Sequence, residues 1–303
     1  MANQPTADRP SGDRSRVYRT HALVLRRRDQ GDADRILTLF TPELGRLEVI
    51  AKGVRKTSSR KAGHLEPFTH VSLLLAQART WDIITEVVTV EPFRHLRENL
   101  DAIGRAGYVA ELVDAFAQSD DEHRNVWDLT TFVLRELDAS AEREAAAHAR
   151  VAASGSPEAN AAPNLNAIDR NMLLVWFMLH MLSVSGFQPN LSTCLACDGE
   201  LQPETNFFNA GEGGFYCPRC AEAVTGAQAR AFESVDADVL KIMRFAQSKP
   251  WGEVRKFTIR PLLVRSAENL LQRYMMSVLE HHLRSVDFLR RLQNDPRFAS
   301  PNG

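Results

Sequence analysis

The sequence predicts an α+β chain of several domains, a closed barrel of five short strands followed by a helical domain into which a cysteine-rich unit is set. Three observations predict it. Residues 17–90 are a series of short runs rich in Val, Ile, Leu, Thr and aromatics. From about residue 95 the apolar period changes to that of helices. The four cysteines fall in two C-x-x-C pairs late in the chain.

The strand runs are VYRTHALVL from Val17, DRILTLF from Asp34, RLEVIA from Arg46, THVSLLLA from Thr69 and TWDIITEVVTV from Thr80. Thr41-Pro42-Glu43-Leu44-Gly45 supplies turn chemistry between the second and third, and Gln77–Thr80 makes a weaker turn before the fifth. Five strands in about 75 residues suit a closed barrel, which leaves no exposed edge. The OB-fold is the natural five-stranded candidate, and an SH3-like barrel is the alternative.

Helical spacing then places Tyr108, Leu112, Val113 and Phe116 on one helix. Leu129, Phe132, Val133 and Leu137 fall on a second, with Ser119–Glu122 breaking the chain between them. Residues 153–166, ASGSPEANAAPNLN, have no period and read as a flexible loop. Asn166 is placed to cap the next helix, with Asp169 near the positive end of its dipole. MLLVWFMLHML is apolar nearly all round, so that helix belongs in the core, and Gly186 and Pro189 end it. Periodicity returns at Asp236, and Leu262, Leu270, Leu271, Tyr274, Met275, Val278 and Leu279 mark the apolar face of a long helix.

Composition excludes several classes. Hydrophobic content of 44% and charged content of 25% are ordinary for a globular protein. The polar N-terminal residues 1–16 lack the apolar core of a signal peptide and read as a disordered leader. The longest apolar stretch, Met172–Leu179, falls short of the roughly 20 residues that span a bilayer. A cytoplasmic chain without a membrane segment is expected. The net charge of −1 hides an asymmetry: residues 16–90 carry +5 and residues 91–303 carry −6. Only the front part is expected to meet a polyanion.

Cys194-Leu-Ala-Cys197 and Cys217-Pro-Arg-Cys220 are separated by 19 residues. Paired C-x₂-C motifs at this spacing point to one Zn²⁺ held by all four thiolates. Two intervening residues let a tight turn aim both sulfurs at one ion. Gly199 is expected to give the positive-φ turn after the first pair. Four sulfur ligands leave no open position, so the site is structural. A redox dithiol or free core cysteines are the bland alternatives. The stretch Asn206–Tyr216 reads as a Gly-rich hairpin, and no Lys-Ser/Thr follows it to make a phosphate loop.

Lys52, Arg55, Lys56, Arg60 and Lys61 place five cations and no anion in ten residues after the third strand. Arg26, Arg27, Arg28 and Arg35 add charge in the same domain. A solvated charge run is the bland reading. The clustering in the one basic domain, on a Gly/Ser loop of a small barrel, favours a surface for nucleic-acid phosphates without sequence preference. Catalytic signatures are lacking: there is no Walker loop, no dinucleotide fingerprint and no G-x-S-x-G. His21, His64, His70 and His95 are scattered, His180 reads as a packed core residue, and His281-His282 sit near a helix C-terminus. Asp29, Asp32 and Asp34 suggest a metal nuclease only weakly, because Arg26–Arg28 and Arg35 balance them. No enzyme and no nucleotide cofactor are expected.

Together these segments resemble the RecO family of bacterial recombination mediators. The resemblance runs from Tyr18 nearly to the end. It rests on Gly31-Asp32-Ala33-Asp34-Arg35 in the first turn and Lys52-Gly53-Val54-Arg55-Lys56 in the basic loop. It continues through Gly186-Phe187-Gln188-Pro189, the two C-x-x-C pairs and Leu283–Leu289. The resemblance implies an OB-fold barrel over residues 17–92 and a helical domain over 93–192, interrupted by a flexible loop at about 151–166. A four-cysteine zinc finger over 193–222 and a second helical part over 223–303 complete it. It implies binding of single- and double-stranded DNA, strand annealing, and loading of recombinase together with RecR onto strands coated by single-strand-binding protein, in the cytoplasm at the nucleoid. A groove edged by Arg260, Arg265 and Arg273 is expected to take the acidic tail of that protein. The rival readings are a zinc ribbon of RNA or transcription machinery and the nuclease built on Asp29, Asp32 and Asp34.

Overall fold

The computed structural model describes residues 17–117, 122–154, 165–226, 228–280 and 283–294. The leader, residues 118–121 of the expected break, residues 155–164 of the expected loop, and His281-His282 lie outside them.

Five strands close the barrel: β1 (Val17–Gln30), β2 (Asp34–Thr41), β3 (Gly45–Ala51), β4 (His70–Ala76) and β5 (Asp82–Glu91). They run round it in the order β1-β2-β3-β5-β4, and β1 pairs with both β2 and β4 to close the ring. β3 and β5 are parallel. That order with one parallel contact is the OB arrangement and removes the SH3-like alternative. β1 serves two neighbours because it is long and because Leu25 interrupts its register with β2 between Val24 and Arg26. Alternate residues fill the barrel: Ala22, Val24, Leu37, Leu39, Val49, Ala51, Val71, Leu73, Leu75 and Ile84 are all buried. Val54 and Leu65, from the segment joining β3 to β4, are buried with them. The β2–β3 turn forms as its residues predict, with Gly45 at φ +59° and the Thr41 hydroxyl accepting from the Leu44 N–H at 3.0 Å.

The helices are α1 (Arg94–Glu98), α2 (Leu100–Phe116), α3 (Arg124–Ser154), α4 (Leu165–Val184), α5 (Pro218–Glu222), α6 (Ala237–Ser248), α7 (Trp251–Val254), α8 (Pro261–Leu279) and α9 (Arg284–Asn294). The chain packs as two units. Among the described residues, one comprises those within 17–97 and 106–135, and the other those within 98–105 and 136–294. The helices predicted to open a separate domain at residue 93 are therefore divided between both. In the first unit Phe40 on β2 lies against Trp127 of α3, with ring centroids 5.8 Å apart, and the His123 N–H donates to the Pro42 carbonyl at 3.0 Å.

In the second unit α4 is the central helix: Met172–Leu179, Met181 and Leu182 are all buried. It packs on α6 and α8. It begins at Leu165, so Asn166 lies inside its first turn instead of capping it. The ends of the expected flexible loop, residues 151–154 and 165–166, are helical. Gly186 stops α4 at φ +82°, as its sequence predicts. Leu262, expected on the apolar face of α8, is 67% exposed, while Val264 in the same turn is buried, so the packed face of that turn lies away from Leu262. A four-stranded sheet lies between α4 and α6 in sequence: β6 (Asn190–Cys194), β7 (Asn206–Asn209), β8 (Gly214–Tyr216) and β9 (Phe232–Val235), ordered β6-β8-β7-β9. The sequence predicts the hairpin β7–β8; β6 and β9 are too short to show a period. Phe208 and Phe215 on its inner face pack with Tyr274 of α8, at 5.0 Å between the two phenylalanine rings and 5.6 Å from Phe208 to Tyr274.

Candidate metal centre and nucleic-acid interface

Cys194 ends β6, Cys217 precedes α5 and Cys220 lies in its first turn. The four Sγ atoms are all within 4.8 Å of one another. A tetrahedron with Zn–S bonds of about 2.3 Å has edges of about 3.8 Å, so the donor set fits one zinc ion with small adjustments. Among the described residues this is the one group of three or more His, Cys, Asp or Glu that can hold a metal. The backbone supports it. The Asp198 N–H donates to the Cys194 carbonyl at 2.9 Å, the Cys194 N–H to the Gly199 carbonyl at 2.8 Å, and the Cys217 N–H to the Cys194 sulfur at 3.4 Å. The positive-φ residue of this turn is Asp198, at +56°, not Gly199. A Cβ at Gly199 would sit 3.4 Å from the Cys197 sulfur, an ordinary van der Waals contact, so the position does not require glycine.

The thiols are electrostatically unlike. Burial opposes ionisation of Cys194, yet the N–H groups of Cys217, Ala196 and Cys197 outweigh it and bring its pKa down to about 6. Cys220 is pushed up to about 12, chiefly by hydrogen bonding to Cys217 and then to Cys197. One thiolate forms readily while Cys220 resists losing its proton. A divalent cation at the centre removes that conflict. In the Gly-rich hairpin turn a Cβ on Gly213 would lie 2.4 Å from the Tyr274 hydroxyl, so glycine there permits close packing.

The nine cations predicted for DNA fall into two sets. Arg26 pairs with Asp114, Arg27 with Glu66, Arg28 with Glu48 at 3.8 Å, and Arg35 with Asp29 at 3.0 Å. Arg55 joins Asp29 at 3.4 Å and donates to the Gly31 carbonyl at 3.1 Å. Lys61 donates to the Ile84 carbonyl at 2.9 Å. Lys52, Lys56 and Arg60 are exposed and, among the described residues, make no ion pair. Their loop is nonetheless fixed: Val54 is buried in the barrel, the Arg55 N–H donates to the Ala33 carbonyl at 2.9 Å, and Asp34 accepts from Gly53. The acidic trio is thus accounted for in part by charge balance and loop anchoring, since Asp29 is spent on Arg35 and Arg55 and Asp34 on the backbone.

Arg260, Arg265 and Arg273 are spread along α8. Arg260 caps α8 and pairs with Asp238 at 2.8 Å. Arg265 lies in the second turn. Arg273 lies 13 residues further than Arg260, about 20 Å along the helix, and pairs with Glu233 on β9. A cavity of about 330 Å³ between β9 and α8 is lined by Glu233, Asp236, Ser266, Asn269 and Arg273, and is largely polar.

Two clusters have no signature in the sequence. His21 and His70, 49 residues apart, meet at 3.1 Å between Nδ1 and Nε2. His70 Nδ1 is 3.1 Å from Glu91, which Arg135 grips with two bonds of 2.7 and 2.8 Å. The scattered histidines are therefore partly gathered by strand register, Leu23 pairing with His70 and His70 with Glu91. In the second unit Arg105 and Arg170 are buried among Asp101, Glu144, Ser140 and Asn99. An Asp-Arg pair at i,i+4 is visible in the chain, but nothing there marks it as buried. His180 is packed on Trp176 at 4.1 Å, as expected of a core histidine.

Comparison with known proteins follows the same outline. The N-terminal family model of recombination protein O matches residues 16–93, and its C-terminal counterpart matches residues 163–287. A DNA repair protein RecO of Roseiflexus sp. (strain RS-1) is 36% identical over 95% of this chain and 90% of its own length. Proteins of the same name from Pelotomaculum thermopropionicum and Nocardioides sp. are 32% and 31% identical, over 93% and 91% of this chain and 96% and 100% of their own. Among the described residues no helix is long and apolar enough to cross a membrane.

Proposed function

This chain belongs to the RecO family of DNA repair proteins, and from that premise we propose that it is a DNA-binding recombination mediator that catalyses no covalent step. One observation carries the reading: Lys52, Lys56 and Arg60 stand exposed, without an ion pair among the described residues, on a loop whose backbone is locked to the barrel. Cations on an anchored loop meet phosphates with little ordering cost. Arg26, Arg27, Arg28, Arg35, Arg55 and Lys61 support them, and Arg28 and Arg55, whose pairs with Glu48 and Asp29 are exposed, can exchange those carboxylates for phosphate, because exposed ion pairs are weak. Bound to single or double strands through the backbone, the protein lowers repulsion between complementary strands. Base pairing then supplies the free energy of annealing, so neither ATP hydrolysis nor strand cleavage is required.

Cys194, Cys197, Cys217 and Cys220 would hold one structural Zn²⁺. When bound, the ion neutralises thiolate charge and cross-links β6 to the start of α5. Loading of recombinase with RecR onto strands coated by single-strand-binding protein, in the cytoplasm at the nucleoid, belongs to the same reading. Family membership supports it. Arg260, Arg265 and Arg273 would serve the protein partners as separate contacts, given their spacing along α8.

The test is Lys52→Glu with Lys56→Glu, measured for single strands and duplex over a range of salt. The expected result is weaker binding to every sequence and a shallower log–log slope, by about 1.4 for single strands and about 1.8 for duplex if each lysine meets one phosphate. Unchanged affinity and slope would move the DNA site off the barrel. A preference for matched RNA strands would favour the RNA-machinery reading instead.

A further inference from the structure

Trp81 ends the turn between β4 and β5 and is only half buried. Its ring offers a π-face at the surface of a basic domain. Its backbone is rigid. The next residue, Asp82, accepts from the Tyr18 hydroxyl at 2.6 Å and from the Ala78 N–H at 3.1 Å, which closes the turn. Asp82 also begins the parallel pairing with β3, opposite Val49. The ring carries a removable cover: the Arg28 guanidinium lies 5.7 Å from its centre. Arg28 is held there weakly. Its side chain is 56% exposed, and its carboxylate contact, Glu48, is 3.8 Å away. Lys52 immediately follows the end of β3, three residues after Val49, and Arg79 is exposed in the same turn as Trp81. A rigid aromatic face thus stands among cations, one of which is free to leave it.

We propose that Trp81 is a stacking platform for an unpaired nucleobase, and that Arg28 turns from the ring to the adjoining phosphate when the base arrives. This rests on the reading that the barrel binds DNA and adds to it a means of telling strands apart. Every base has a π-face, so stacking is indifferent to sequence. Bases inside a duplex are stacked on one another and offer no free face. Trp81 therefore contributes to single strands alone. When a complementary strand pairs, the base withdraws from the ring and the product is held by phosphate contacts only. The platform favours substrate over product, which suits a protein that must let go after annealing.

The test compares Trp81→Ala, Trp81→Phe and Lys52→Glu/Lys56→Glu in the full-length protein, with oligothymidylate and with the matching duplex as probes. Trp81→Ala is expected to weaken oligothymidylate about tenfold or more, with an unchanged salt slope, and to leave duplex within about twofold. Trp81→Phe, which keeps a π-face, is expected to recover most of the loss. Oligothymidylate should quench tryptophan fluorescence in the native protein, and the quench should vanish in Trp81→Phe although Trp127, Trp176 and Trp251 remain. Unchanged single-strand affinity in Trp81→Ala, equal losses on both probes, no recovery with Phe, or a quench that survives Trp81→Phe would each overturn the proposal. If those results accompany a normal loss in the lysine variant, the barrel reading stands and the platform alone falls. If the lysine variant also binds as the native protein does, the reading itself falls.

Discussion

Asp34 accepts a hydrogen bond from the backbone N–H of Gly53 at 2.7 Å, so an acidic side chain holds the most basic loop of the molecule in place. Two opposed effects follow from removing it. Electrostatics alone says that losing an anion near a DNA surface raises affinity. Loop anchoring says that affinity falls, because the cations of residues 52–61 must then be ordered on binding. We expect anchoring to win: Asp34→Ala lowers affinity a few-fold and speeds amide exchange at Gly53 and its neighbours, while Asp34→Asn, which keeps the acceptor, restores both. A rise in affinity for Asp34→Ala would show that the loop needs no anchor.

Replacing Cys217 by Ser leaves three thiolates and disturbs the start of α5. Metal analysis is expected to find about one zinc per native chain and well under one in the variant, with a lower melting temperature. Adding a chelator to the native protein should lower its melting temperature in the same direction. A native protein that contains no zinc after careful purification and binds none on titration would remove the metal from the account.

Arg170 is 1% exposed and bonds Ser140 at 3.0 Å, Asp101 at 2.6 Å, and Glu144. Arg170→Met fills much of its volume but leaves Asp101 with Arg105 as its one remaining cation here and takes from Glu144 the arginine it pairs with. The expected cost is about 3–5 kcal/mol in chemical denaturation. A loss under about 1 kcal/mol would mean that the carboxylates find other donors or water.

Burial pushes the pKa of His70 below its ordinary 6.5, against the raising effect of Glu91, and burial pushes His180 down likewise. A histidine depressed in the folded state binds protons more readily when unfolded. Stability is therefore full above about pH 6.5 and declines as the pH falls toward the folded-state values. Glu91 acts in the same sense at lower pH, its carboxylate held below its usual range first by the Arg135 hydrogen bond. Melting temperature should drop between pH 7 and 5, and His70→Gln should flatten that drop. An equally steep fall in the variant would assign it elsewhere.

Where the chain repeats a simple period it is legible. The five barrel strands and α8 can be read from the spacing of apolar residues, α4 from its nearly unbroken apolar run, the hairpin from its Gly-rich turn, and the metal site from cysteine spacing. What the sequence conceals depends on register and burial. His21 meets His70 because β1 pairs with β4, a relation between residues 49 positions apart. Charge alone ranks the nine cations equally. It does not separate Arg35 and Arg55, which meet Asp29, from Lys52 and Lys56, which meet no carboxylate among the described residues. Only the folded neighbour makes that distinction. β6 and β9, at five and four residues, are shorter than any window that reveals alternation.

The division of the chain between its two units sets an order of assembly during synthesis. The first unit takes residues 106–135, so it is complete only once residue 135 has left the ribosome. A nascent barrel ending near residue 93 has Phe40 without Trp127 to cover it. Residues 98–105 belong to the second unit and are made before most of it. At ordinary elongation rates the residues beyond 135 take roughly ten to thirty seconds to appear. During that interval Asp101 and Arg105 have each other, at i,i+4 and 2.9 Å, as a local pair that forms with its own helix turn. Arg170, made last of the four, pairs with both Asp101 and Glu144, so this cluster of buried charges is completed only when it emerges.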